Sequence, residues 1–264
     1  MYINTTTISL IEQSVYDSLN INKQELDDLL EECYNLLQNN HHVFMLDEQY
    51  DFFNEYVRNH INQEIDKVMF IHLSRRLDQD NNGYGLDYVL THETSLSQYL
   101  KKYGLTFRYE NHIKMYIDDK EVIIHNDYSG RNLKQRLGYT FKDYAFSGYA
   151  FCENIIDNDY YEIAVGGPEF FGYLYPYFDD DALIDQFINK SVFYQFIYLL
   201  SIDDIEFEGY EELDNQGKQY HMVTKTLQRL YFYKYEPDFV NEMSVIMKSK
   251  NDVSEKYLIN KVVL

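Results

Sequence analysis

The chain has 264 residues, 45% of them hydrophobic, and a formal charge of −21 at pH 7. That length and composition suit one large or two small globular domains, and exclude a mostly disordered chain or one that needs disulfides or metals to hold its core. The charge argues against generic nucleic-acid binding, since it repels phosphate backbones, and favours encounter with basic surfaces.

The first 66 residues read as helical. Thr5, Thr6 or Thr7 can cap a first helix that runs to about Leu19. In the second, from Asn22, the residues Leu26, Leu29, Leu30, Cys33, Leu36 and Leu37 recur at spacings of three and four and make one apolar stripe. Glu25, Asp27 and Asp28 lie early in this helix, where its dipole favours acids. Val43 to Leu46 reads as a short strand, and a third helix is expected from about Asp47 to Ile61.

The pattern then becomes mixed. Lys67 to Leu73 is a short β-prone apolar run, followed by a polar loop from Asp78 to Gly85. Thr94 or Ser95 caps a helix that stops at Gly104. Leu105–Glu110, His112–Ile117 and Glu121–His125 alternate between short polar turns and predict an antiparallel β-meander. Arg131 to Leu137 predicts a short helix closed by Gly138, and Tyr144 to Asn154 a further strand. Pro168, after Gly166-Gly167, is placed to open a helix, and Asp179, Asp180 and Asp181 another. Val192 to Leu200 is apolar on several faces and is expected at the centre of the core. Gln219 to Tyr235 fits strand or helix, and Asp238 to Lys250 reads as helical. The fold class is therefore α+β: a helical N-terminal part, then a mixed region with an antiparallel meander and C-terminal helices. The change of pattern suggests a helical subdomain over residues 1–66 and a main domain over 67–264.

The chain has 28 Tyr, 17 Phe and no Trp. Tyrosine can bury a ring while its hydroxyl stays wet, so this excess suits interfaces as well as a core, and allows a homo-oligomer. Abundant Asn, Lys, Ile and Tyr with few Ala, Pro and Gly also match an AT-rich coding style, as in a phage or mobile element. Cys33 and Cys152 make no disulfide framework, which fits a reducing, cytoplasmic setting. Met1 to Asn20 lacks the basic and apolar blocks of a secretory signal, and no stretch of 18 apolar residues suggests a membrane span.

The clearest candidate site is the acidic run Asp203, Asp204, Glu206, Glu208, Glu211, Glu212 and Asp214, interleaved with Ile205, Phe207 and Tyr210. In an extended segment Asp204, Glu206 and Glu208 point one way and Ile205 and Phe207 the other. Such a carboxylate ladder could meet a basic groove as a row of phosphates would; a solvated strand edge protected from aggregation is the plainer reading. Asp78, Asp80 and Asn82, followed by Gly83, match the opening of a calcium loop, but Val89 stands where the closing Glu is needed, so a polar turn fits better.

A third pattern is His72 at the end of a strand, Tyr144 and Tyr149 in a tyrosine-rich strand, and Glu169 after a glycine pair. The order His72, Tyr149, Glu169 resembles that of one class of ADP-ribosyltransferases. The resemblance implies NAD as cosubstrate: His72 positions the nicotinamide ribose, Tyr149 stacks on the nicotinamide, and Glu169 stabilises developing positive charge. His72 equally fits a core histidine.

The sequence has no phosphate-binding glycine loop, no Gly-x-Ser-x-Gly elbow and no zinc spacing, so no cofactor is expected. The reading that follows is an acidic, non-enzymatic inhibitor of phage or mobile-element type. It would dock on a basic protein surface and block a host defence complex that processes nucleic acid, without touching nucleic acid or membrane itself. An NAD-using enzyme and an architectural subunit of a homo-oligomer are the alternatives.

Overall fold

The computed structural model describes residues 1–40, 45–153, 155–178, 181–242 and 244–264. In chain order these form α1 (Ile8–Leu19), α2 (Lys23–Asn40), α3 (Met45–His60), β1 (Lys67–Arg76), α4 (Leu86–Thr91), α5 (Ser95–Lys101), β2 (Leu105–Tyr109), β3 (Ile113–Ile117) and β4 (Lys120–Glu121). There follow α6 (Tyr128–Arg136), β5 (Ser147–Tyr149), α7 (Asp159–Val165), α8 (Asp181–Lys190), β6 (Val192–Ser201), β7 (Ile205–Phe207), α9 (Asn215–Tyr235), β8 (Ile246–Ser249) and β9 (Leu258–Val263). The fold is α+β, with a helical N-terminal part. One sheet has the strand order β7-β8-β5-β1-β6-β9, and the other β2-β3-β4. β1 and β5 run antiparallel with Ile71 opposite Tyr149. No helix among the described residues is long and apolar enough to cross a membrane.

The chain divides into two compact units. The first comprises Met1–Ile71, Gly148–Asn158 and Tyr198–Lys248. Its α1 starts where Thr7, in extended backbone, accepts the Leu10 amide, and stops at Asn20, whose φ of +54° is left-handed. Leu26, Leu29, Leu30, Cys33 and Leu37 of α2 are buried as the periodicity requires, whereas Leu36 lies off the stripe and is 41% exposed. α9 packs against α1, α2 and α3. Consecutive residues from His221 to Thr224 and from Thr226 to Phe232 are buried, so this helix is enclosed on nearly all sides. A helix enclosed in this way shows no single apolar stripe, which is why its sequence reads equally as strand or helix.

The second unit comprises His72–Ser147, Asp159–Ile197 and Ser249–Leu264. Its core gathers Leu100, Leu105, Phe107, Met115, Leu133 and Leu137 with Phe170, Phe171 and Phe187. The expected meander is present in register: Leu105 faces Ile117 and Tyr109 faces Ile113. Thr94 caps α5 and forms a reciprocal box with Ser97. Asp118 and Asp119 both have positive φ and make the two-residue turn from β3 to β4.

Several expected elements are corrected. The third meander strand is Lys120–Glu121 and ends before the expected Glu121–His125 run, because that run turns towards α6, with His125 held by the Tyr177 hydroxyl. The strand expected over Tyr144–Asn154 is reduced to Ser147–Tyr149, where a Cβ on Gly148 would come within 2.7 Å of the Ile71 carbonyl oxygen. The residues after Pro168 form a 3-10 turn, Glu169–Tyr173, in place of an α-helix. The tail expected as helix from Asp238 to Lys250 is a 3-10 turn, Pro237–Glu242, and then β8, in which Met247 and Ser249 alternate inward. Of the strand expected at Val43 to Leu46, Met45 and Leu46 open α3 and the first two residues lie outside the described ones, as do Asp179 and Asp180 ahead of α8.

Candidate functional site

The acidic run belongs to the first unit and is built on four inward side chains. Ser201 caps a 3-10 turn, Ile202–Asp204, with its hydroxyl accepting the Asp203 amide. Ile202, Ile205 and Phe207 are buried, and the buried Lys218 ammonium donates to the Ile205 carbonyl at 2.6 Å. Tyr210 stacks on Tyr50 at a ring separation of 5.7 Å and packs at a tilt against His221 at 4.2 Å. These contacts hold the backbone from inside and leave Asp203, Asp204, Glu208, Glu211, Glu212 and Asp214 exposed, with Glu206 half-buried.

The carboxylates do not form one straight ladder. Extended backbone covers only Ile205–Phe207, with the Asp204 turn before it and Gly209, at φ +77°, after it. Three of the acids also serve the frame. Glu208 pairs with Lys248 at 3.3 Å. Glu211 accepts the Gly209 amide at 2.9 Å, a bond that with its own amide holds its carboxyl below the usual range. Asp214 caps α9 by accepting the Gly217 amide at 2.7 Å. Asp204 and Glu212 stand exposed on the same pre-shaped loop as acceptors for cationic side chains. Binding on a fixed loop costs less ordering than binding on a flexible tail.

The remaining predicted residues have separate partners. His72 sits in β1 in the second unit; its Nδ1–H donates to the Ser147 carbonyl at 2.8 Å. Burial, with the Arg76 charge adding, pushes its imidazole down to about 3, so the ring is neutral. Glu169, also in the second unit, accepts from the Arg136 guanidinium and from the Tyr173 hydroxyl at 3.1 Å. Tyr149, in the first unit, lines a small cavity with Phe151, Glu153 and Arg229. Asp78, Asp80 and Asn82 form consecutive turns: Asp78 accepts the Asp80 amide, Asp80 the Asn82 amide, and Asn82 the Glu255 amide. Among the described residues no group of three or more His, Cys, Asp or Glu is placed to hold a metal ion.

Two clusters in the first unit escaped the sequence. Arg229, 4% exposed, bonds the equally buried Glu153 and also donates to the Val240 carbonyl at 3.1 Å. The Tyr233 hydroxyl reaches the same Glu153 oxygen at 3.3 Å, and Glu153 Oε2 has no hydrogen-bond partner among the described residues. Burial pushes the Glu153 carboxyl up against the pull of Arg229. The adjoining cavity, ≈ 10 Å³, has room for about one water. The second cluster lies behind the acidic run. The Tyr50 hydroxyl meets His221 Nδ1 at 2.9 Å, and the Lys225 ammonium lies 5.1 Å from the Tyr50 ring centre and 5.8 Å from that of Tyr210. Nothing local marks these residues, because their partners are distant in the chain.

No protein-family model, no curated protein and no solved structure matches the chain.

Proposed function

We propose that the protein is an acidic binding inhibitor that sets the 203–214 segment against the basic surface of a nucleic-acid-processing protein complex. This is how a phage or mobile-element protein could block a host defence assembly. One observation carries the reading: exposed carboxylates stand on a loop pinned by buried Ile202, Ile205 and Phe207, in a chain of charge −21. The overall charge would speed encounter with a basic partner, and contact of the fixed loop would set the lifetime of the complex. The partner's own nucleic acid would be displaced, because both compete for the same cationic face.

The test is capture of partners from host lysate by the tagged chain, followed by nucleic-acid binding of the captured complex. Wild type is expected to capture a nucleic-acid-binding complex and suppress its binding. The D203N/D204N/E212Q variant is expected to associate more slowly and with a weaker dependence on salt. An unchanged association rate in the variant would remove the segment from the contact, and a captured complex that still binds its nucleic acid would end the inhibitor reading.

A further inference from the structure

The negative charge is not evenly spread. Between Lys101 and Lys142 the chain carries nine Lys and Arg against five Asp and Glu, whereas the whole chain has 23 against 44. This positive window contains β2, β3, β4 and α6, all in the second unit. Some of its cations are paired: Arg108 with Asp119 at 3.0 Å, Lys114 with Glu110 and Glu121, and Arg136 with Glu169. On α6 the balance differs. Arg131 is exposed with no ion-pair partner among the described residues, and Lys134 Nζ bonds the neutral Asn126 side chain at 2.5 Å.

A large aromatic side chain lies beside these cations: Tyr128, at the start of α6 and one turn from Arg131, is 72% exposed. The surface is held from within by Leu133 and Leu137, which are fully buried, and by Asp127, which caps α6 through the Gly130 amide. Exposed tyrosine beside arginine is the composition of a protein contact, where rings supply buried area and the guanidinium supplies a charged anchor. The missing partner must bring carboxylates or phosphates. Phosphate fits poorly, because nucleic-acid binding needs a run of cations along the backbone, and here Asp127 and Glu169 interrupt them. A loop of discrete carboxylates fits, and this chain presents one at residues 203–212.

We propose that the α6 face, centred on Tyr128, Arg131 and Lys134, docks on the acidic 203–212 segment of a second copy of this chain. Two different patches meet, so copies join either reciprocally in a closed two-fold dimer or head to tail in a ring or open chain. At ~0.1 M salt the Debye length is about 10 Å, so distant like charges on two copies are screened while ion pairs formed at contact are not.

Sedimentation of complementary variants tests this. R131E/K134E removes the basic face and leaves the acidic loop, and D203K/D204K/E212K does the reverse. Wild type is expected to grow in mass with concentration; each variant alone is expected to stay monomeric; an equal mixture is expected to give a one-to-one dimer and nothing larger. Circular dichroism and unfolding midpoints like those of wild type would establish that both variants fold, and Y128A supplies a charge-neutral check by weakening wild-type association. A monomeric wild type, or a mixture that stays monomeric while wild type associates, overturns the proposal. So does saturable binding of a labelled single-stranded oligonucleotide that R131E/K134E abolishes, since that assigns the face to nucleic acid. R131E/K134E keeps the acidic loop, so its capture of a basic partner reports on the inhibitor reading independently.

Discussion

Glu153 and Arg229 show what one buried charge demands of its neighbours. Both are almost wholly enclosed, and the guanidinium is further held by the Val240 carbonyl and by the faces of Phe151 and Tyr233, whose ring centres lie 4.8 and 5.7 Å away. Removing one partner leaves the other charge buried alone, which costs about 3–5 kcal/mol, whereas replacing both with apolar groups of similar size is far milder. E153A is therefore expected to lose about 3–5 kcal/mol in denaturant unfolding, and E153M/R229M to recover most of that loss. Equal losses in the single and double variants would show that the pair contributes nothing beyond its packing.

His221 makes a pH prediction at the same scale. It is 1% exposed, and burial, with the nearby Lys225 charge adding, pushes its imidazole down to about 3 from 6.5. Between those values the unfolded chain binds a proton that the folded chain refuses. The stability this histidine contributes is thus complete above about 6.5 and falls as pH drops towards 3, by about 1.4 kcal/mol per pH unit. Down to about pH 5 few carboxylates titrate, so the comparison of wild type with H221Q is clean there: wild type should lose stability on acidification more steeply than the variant. Parallel profiles would mean that the imidazole accepts its proton in the folded state.

Among the elements, α9 joins stability to the candidate site, because Asp214 ends the acidic run and begins the helix. Loss of a side-chain cap costs about 1 kcal/mol, so D214A is expected to lower unfolding free energy by that much. A slowed association at unchanged stability would place Asp214 in the contact instead of in the cap. Local signals made much of this level legible. Thr7, Thr94 and the acidic opening of α2 mark helix starts, the leucine stripe marks the buried face of α2, and alternation marks β2 and β3. What stayed hidden depends on long-range neighbours. α9 shows no single apolar stripe because α1, α2 and α3 pack around it, and β8 looks helical until its alternation meets a sheet. The candidate site was legible in part: the acidic run is visible as composition, but its anchors Lys218, His221 and Tyr50 come from elsewhere in the chain. The basic α6 region could have been found by counting charge in a moving window, since its signal is the local sum and not any motif.

At the scale of the whole molecule, a charge of −21 acts on folding as well as on association. Like charges crowded into a compact state repel one another more than in an expanded chain, which destabilises the fold. The attractive pairs on the surface, such as Arg108 with Asp119 and Lys234 with Asp27, are exposed or partly so. Exposed pairs of this kind are worth about 0–1 kcal/mol each, so screening them loses little. Screening the net repulsion gains more, because it acts on the whole excess of acids. Added sodium chloride at pH 7 is therefore expected to raise the thermal unfolding midpoint, with most of the rise complete once the Debye length falls to about 8 Å, near 0.15 M. The rise should be smaller in D203N/D204N/E212Q, which removes three charges without touching the buried anchors of the loop. A midpoint that falls with salt would mean that specific ion pairs, and not the net charge, dominate the electrostatics of the folded state; an equal rise in the variant would mean that the 203–212 segment bears no larger share of the repulsion than the rest of the surface.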